Sequence, residues 1–322
     1  MNTIPIEVAG DIWYNAQYVQ EELDKIPNGQ QVVLDFRAEG PSMYALGICD
    51  MLDQWLVKTN RSSDSIMVTC WSNATEKIPY PKRLCSVPSH FWKFSQSYWC
   101  DPDTASDAKL FALFLGRSTI ARNTIMYQVA TQWSDHFVLS KMKHNQFDPW
   151  ARKHLGPDSV ESWMIEDVHS IVEWHKNCPI ISIDSKELKD QFGDPDNHGR
   201  INRSLLDHYS KFKIELVCET YTLGTTFFPT EKTVRPIMAA KPILLYGPIN
   251  FLKELRNMGF KTYSELWSED YDHLEGVERW QSIKKSINHL ISLDQLQRTQ
   301  LLEHAKSIAV FNRQHLKNFI KL

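Results

Sequence analysis

No stretch of this sequence approaches the roughly 18 uninterrupted apolar residues that a membrane-spanning helix needs. Its first residues, MNTIPIEVAGDIWYN, hold neither a basic leader nor an apolar segment of the secretory kind. A cytoplasmic chain with no membrane span is expected. The six cysteines, Cys49, Cys70, Cys85, Cys100, Cys178 and Cys218, form no C-x-x-C pair. Zinc knuckles and dithiol redox motifs are thereby excluded, leaving reduced and mostly buried thiols. Internal repeats and low-complexity tracts are also missing. The net charge is only -3, so there is no general pull toward nucleic acid or anionic membrane, and any bound anion must be held locally.

What is present is an ordinary folded composition, 42% hydrophobic and 23% charged, over 322 residues. At about 100–200 residues per domain, that length implies two domains. Eleven tryptophans offer indole faces for stacking on sugar rings, although core packing is the commoner fate of any one of them.

The first β/α pattern is an apolar strand over 31–36, the turn Arg37–Ser42, a helix over 43–58 and a second strand over 65–70. Residues 76–108 hold Pro79, Pro81, Pro88 and Pro102 and read as loops and an inter-domain passage. The second pattern opens with the continuous apolar run Lys109–Leu115, typical of a buried parallel strand, followed by a helix to about 132. Strands are expected over 178–183, 212–218 and 242–246, with helices over 203–209 and 250–258, the last capped by Gly259. Apolar residues at helical spacing over 293–322 predict terminal helices packed on the body. Alternating strands and helices in two such units predict an α/β protein of two Rossmann-like domains with ligands at the carboxyl ends of the strands. The expected division is 1–105, 106–290 and, for the C-terminal helices, 291–322.

Alternation over Phe212–Glu219 puts Glu219 at the ligand end of a strand. Eleven residues later, Thr230 can cap a helix whose first turn holds Glu231 and Lys232. Free N–H groups there favour an anion, and Lys232 adds a full positive charge. Glu231 can accept hydrogen bonds from a vicinal diol such as ribose, while Lys232 meets phosphate. The pair describes a nucleotide diphosphate, although helix capping alone explains the same letters. Pro236 implies a kinked or later-starting helix.

The stretch Phe212–Gly247 resembles the donor-binding motif of the alpha-1,3-fucosyltransferases. Cys218–Glu219–Thr220 stands at the family's F-E-N, Phe228–Pro229–Thr230–Glu231–Lys232 at its Y-V-T-E-K, and Lys241–Gly247 at the following strand. Arg117 and Arg122 fall where the family carries a pyrophosphate-binding arginine, and Arg200 and Arg203 precede the strand. Thr220 replaces the family's Asn and Phe228 its Tyr. The resemblance implies a GT-B fold, with two Rossmann-like domains facing across a cleft, and donor binding by Arg117, Arg122, Glu219, Thr220, Phe228, Thr230, Glu231 and Lys232. It implies no cofactor beyond a nucleotide sugar as co-substrate, GDP-fucose being the family's donor.

An inverting transfer needs a base on the acceptor side. Glu39, in the turn after the first recognised strand, is the candidate, with Asp35 close by. Asp101–Pro102–Asp103 has the letters of a metal-binding D-x-D but lies in a proline-rich loop, so no metal is expected. The expected partners are the donor and a glycan or glycoconjugate acceptor, with no nucleic acid. A transferase for modified DNA or a small metabolite, or a non-catalytic nucleotide-sugar-binding module, fits the same motif.

Overall fold

The computed structural model describes residues 3–7, 16–36, 43, 47–70, 78–85, 104–115, 120–141, 168–177, 208–219 and 222–320. They form an α/β protein with two parallel four-stranded sheets.

The first sheet runs β1 (Thr3–Glu7), β2 (Gln31–Asp35), β3 (Ile66–Cys70) and β4 (Lys82–Leu84), side by side in chain order. Helix α1 (Ala16–Leu23) lies between β1 and β2, and α2 (Ile48–Thr59) between β2 and β3. Val32, Leu34, Ile66 and Val68 pack with Val19, Leu23, Leu52 and Trp55 of the helices in one core. Two of these strands were not expected. Pro5 breaks the strand pattern of β1, yet β1 lies at the edge of the described sheet, where proline is tolerated. Strand β4, inside the stretch expected to be loop, is three exposed residues joined to β3 by backbone pairing. Helix α2 also starts later than the expected residue 43, because Gly47 takes φ 66 at its N-cap. Its far end is closed by Asn60 in the left-handed region, and the Arg61 guanidinium lies 4.7 Å over the Trp55 ring while donating to the Gln30 and Pro27 carbonyls.

The second sheet has the order β6-β5-β7-β8, with β5 (Lys109–Leu115), β6 (Phe137–Lys141), β7 (Phe212–Cys218) and β8 (Ile243–Tyr246). Its helices are α3 (Ile120–Trp133), α4 (Val168–Asn177), α5 (Glu231–Met238), α6 (Phe251–Asn257), α7 (Gly276–Ser292) and α8 (Gln295–Phe319). Phe111, Leu113 and Leu115 of β5 join the core of Ile125, Met126 and Val129 from α3. Ala112 and Phe114 face the other way, onto Tyr209, Phe212 and Ala239. Both faces are covered, which is why β5 reads as an unbroken apolar run. Strand β6 and helices α4 and α7 were not expected. The strand expected over 178–183 and most of the helix over 203–209 lie outside the described residues.

Helix α5 starts at Glu231, and Pro236 sits in its last turn rather than delaying its start. The expected C-cap at Gly259 is present: its φ is +88, its N–H donates to the Arg256 carbonyl, and Phe260 N–H donates to Leu255. Helix α8 opens on a capping box between Asp294 and Gln297 and packs on α5. Among the described residues no helix is long and apolar enough to cross a membrane. The described cysteines are free thiols, with Cys49, Cys70 and Cys218 buried and Cys85 half-buried. Trp55, Trp133, Trp267 and Trp280 are buried, as core packing requires.

Candidate functional site

The order β6-β5-β7-β8 locates the place to look. From β5 the chain passes to β6 on one side, then returns to lay down β7 and β8 on the other. The connections after β5 and β7 therefore diverge, and the carboxyl ends of such a pair of strands are where open parallel sheets bind their ligands. In the first sheet the described strands follow one another in a single direction and create no such reversal.

Glu219, the residue after β7, organises this end of the sheet. Its N–H donates to the Tyr246 carbonyl, holding the chain against the end of β8. One carboxylate oxygen accepts from Thr230 N–H at 3.1 Å and from the Thr233 hydroxyl, and the other accepts from the Thr230 hydroxyl at 2.6 Å. The carboxylate expected at the ligand end of a strand is 1% exposed and grips the start of α5. Its backbone carbonyl accepts from Arg122 Nε at 3.3 Å. One residue thus ties α3 with its main chain and α5 with its side chain.

The consequence is a convergence of cations. Arg122 stands in the first turn of α3 and is 1% exposed; Lys232 stands in the first turn of α5 and is 8% exposed. Thr230 caps α5 by accepting from Lys232 N–H, and Lys232 Nζ donates to the Thr230 hydroxyl oxygen at 3.2 Å and to the Glu231 carboxylate. A cation at a helix N-terminus opposes the helix dipole, and two here have been taken out of water. Burial is the main cause of a lowered Lys232 pKa; Glu231 resists the shift and Arg122 adds to it. The neighbouring Cys218 thiol is pushed up to about 11 by burial, against the opposing pull of Arg122, so it stays protonated and is no nucleophile. Two helix N-termini, a guanidinium and an ammonium can together receive a diphosphate.

Of the residues singled out from sequence, Arg122, Glu219, Thr230, Glu231 and Lys232 are brought together here. Phe228 is buried at 3% exposure, next to Phe227, whose ring meets Phe251 edge-on at 4.7 Å. Arg117, Thr220 and Glu39 lie outside the described residues, as do Arg200 and Arg203, while Asp35 ends β2 in the first sheet.

Two supports are invisible in the sequence pattern. Arg279 of α7, 2% exposed, donates to the carbonyls of Thr222, Gly247 and Leu274, pinning the connections that leave β7 and β8. Arg235, in the last turn of α5, donates to Glu215 of β7 at 2.7 Å and to the Tyr209 hydroxyl at 2.6 Å, and that hydroxyl donates back to Glu215. Burial works against the Arg235 charge, but Tyr209 and Glu215 outweigh it and hold the guanidinium ionised. Glu215 on β7 and Glu219 just beyond its end therefore hold opposite ends of α5. No sequence signal distinguishes these buried arginines from solvated ones.

Compared with protein-family models and with curated proteins, the chain matches none.

Proposed function

We propose that the chain is a glycosyltransferase of GT-B type that takes a sugar from a nucleotide-diphosphate donor held in the second sheet and transfers it to a hydroxyl of a glycan or glycoconjugate. The observation that carries this reading is the meeting of Arg122 and Lys232, 110 positions apart in sequence, both nine-tenths buried and both in first helical turns at the topological switch point. The resemblance of Cys218–Lys232 to the fucosyltransferase donor motif supports the same ligand. In this reading Arg122 and Lys232 receive the diphosphate and Glu231, 31% exposed at its side chain, meets the ribose diol. Glu219 is a positioning residue that acts through Thr230 and Thr233, and Glu39 is the base that takes the proton of the acceptor hydroxyl as its oxygen bonds to the anomeric carbon and the bond to the departing nucleoside diphosphate breaks, a displacement that inverts that centre.

A thermal-shift panel of GDP-, UDP-, CDP- and dTDP-sugars tests the donor. At 100 times the dissociation constant a ligand adds about 2.7 kcal/mol of stability, or about 5–10 °C in Tm for a domain of this size. A flat panel defeats the proposal. Glu39→Gln should abolish transfer while leaving the ligand shift intact; unchanged turnover removes Glu39 from the site.

A further inference from the structure

Helix α7 buries one face and leaves the other in solvent. Trp280, Ile283, Ile287 and Leu290 pack into the core. On the opposite side Glu278, Gln281, Lys285 and His289 are exposed, spaced three or four residues apart along one stripe of the helix. Val277, near the start of α7, is 42% exposed. An open groove of about 680 Å³ runs beside this stripe, from Leu274 to His289, with Trp267 and Asp270 on its facing wall. That wall is fixed: the Ser286 hydroxyl donates to the Ser268 carbonyl at 2.9 Å, and the Ser268 hydroxyl donates to Asp270 at 2.7 Å.

The groove is not laid out for a small ligand, whose site gathers its polar groups around one point. Here Glu278 stands toward one end of the stripe and Lys285 and His289 toward the other. Glu278 and Lys285 are seven residues apart, about 10.5 Å along the axis, and so lie beyond the three- and four-residue spacings at which helical side chains pair. The residues at those spacings between them, Gln281 and Ser282, are neutral. Among the described residues neither Glu278 nor Lys285 makes an ion pair. The stripe therefore offers a negative end, a neutral middle and a positive end to whatever lies along it.

We propose that this face binds the same face of a second copy of the chain, the two α7 helices running antiparallel about a two-fold axis beside Gln281 and Ser282. A two-fold operation that sets one residue opposite another also sets the second opposite the first. With the axis midway between positions 281 and 282, Glu278 meets Lys285 of the partner subunit and Lys285 meets Glu278 of the partner subunit. A parallel arrangement would instead set each charge against its own kind, so charge complementarity selects the antiparallel pair. The same contact covers Leu274 and Val277, and Ser282 leaves room for close approach at the axis. On its inner side α7 carries Arg279, which holds the Thr222 and Gly247 carbonyls. A second copy thus braces the helix that fixes the connections after β7 and β8. The proposal does not depend on the donor reading.

Sedimentation velocity of the full chain over about 1–100 μM tests it. The mass should rise from 37.5 kDa toward twice that value, and less so as salt increases, because the pairs are exposed. Glu278→Lys and Lys285→Glu each turn two matched pairs into two repelling ones, and each should raise the dimer dissociation constant at least about tenfold. Both positions are exposed, so the Tm of each variant should stay within about 2 °C of wild type. The double variant Glu278→Lys with Lys285→Glu should recover the dimer. An equimolar mixture of the two single variants should form a heterodimer, since one then presents only cations at these positions and the other only carboxylates. A wild-type chain that stays monomeric at the highest concentration overturns the proposal, as do assemblies larger than two. A dimer that the single reversals leave unchanged, or that neither the double variant nor the mixture restores, overturns this face as its interface.

Discussion

The two sheets share strand number and parallel pairing, yet they differ in what they bury. Among the described residues of the first sheet and its helices, the one buried polar side chain is Thr69; the second sheet and its surroundings bury Arg122, Glu215, Glu219, Lys232, Arg235, Lys241, Glu269, Asp272 and Arg279. The same contrast runs through topology, sequential in the first sheet and reversed between β5 and β7 in the second. Burying a charge costs several kcal/mol unless it is paired and hydrogen-bonded. Arg122, Glu219 and Lys232 gather at the reversal itself. They mark an edge where the second sheet gives up stability, as the proposed ligand site requires.

The sharpest way to break the contrast is to unpair one buried charge. Arg235→Met leaves Glu215 buried with only Tyr209 as a side-chain partner, and should cost about 3–5 kcal/mol. Replacing the pair together, Glu215→Leu with Arg235→Met, removes both desolvation costs and should recover most of that loss, bringing the second sheet closer to the apolar character of the first. Urea denaturation of the single and double variants gives the coupling energy. Additive losses would mean that the two charges do not sustain each other.

Lys232→Met comes next, and its two effects have opposite signs. Loss of a charged contact worth about 1.5–3 kcal/mol should weaken nucleoside-diphosphate binding about 10- to 100-fold, read by thermal shift or calorimetry. The ligand-free protein should become more stable. The Lys232 pKa lies below its ordinary 10.5, so between the lowered value and 10.5 the unfolded chain binds a proton that the folded chain does not. This group's contribution to stability therefore rises with pH through that window. The advantage of Lys232→Met should be largest on the acid side of the window and vanish as pH approaches 10.5. Stability profiles of wild type and variant that stay parallel across that range would show that the lysine is not desolvated.

Sequence legibility cut across that division: β2 and β3 of the first sheet were readable, and β6 of the second was not. Strands β5, β7 and β8 were readable because burial on both faces writes continuous apolar runs. Strands β1 and β4 were not, because Pro5 interrupts one and the other is the exposed tripeptide Lys82–Leu84, held by backbone bonds that leave no side-chain signal. The Thr230 cap was legible from local chemistry, since a cap is a contact between near neighbours. The grip of Glu219 on Thr233, the reach of Arg122 across 97 positions to the Glu219 carbonyl and the Arg279 staple are products of tertiary packing. A buried arginine is written with the same letter as a solvated one.

The smallest effect compares two glycines. Gly29, in the turn before β2, has φ +85, and a Cβ there would meet nothing within 4 Å, so Gly29→Ala should cost about 1 kcal/mol from left-handed backbone strain alone. Gly259, at the end of α6, has φ +88, and a Cβ there would come within 2.8 Å of His315. That ring cannot simply swing aside: it stacks with Phe311, meets Phe260 edge-on at 4.7 Å and bonds the Met258 carbonyl at 2.8 Å. Gly259→Ala should therefore cost about 2 kcal/mol, the strain plus a typical overpacking penalty. Adding His315→Ala to Gly259→Ala should remove the clash component, so that the alanine at 259 costs no more in that background than the one at 29. Equal losses at the two glycines in the wild-type background would mean that the ring gives way, and that the packing around α6 and α8 is looser than these contacts imply.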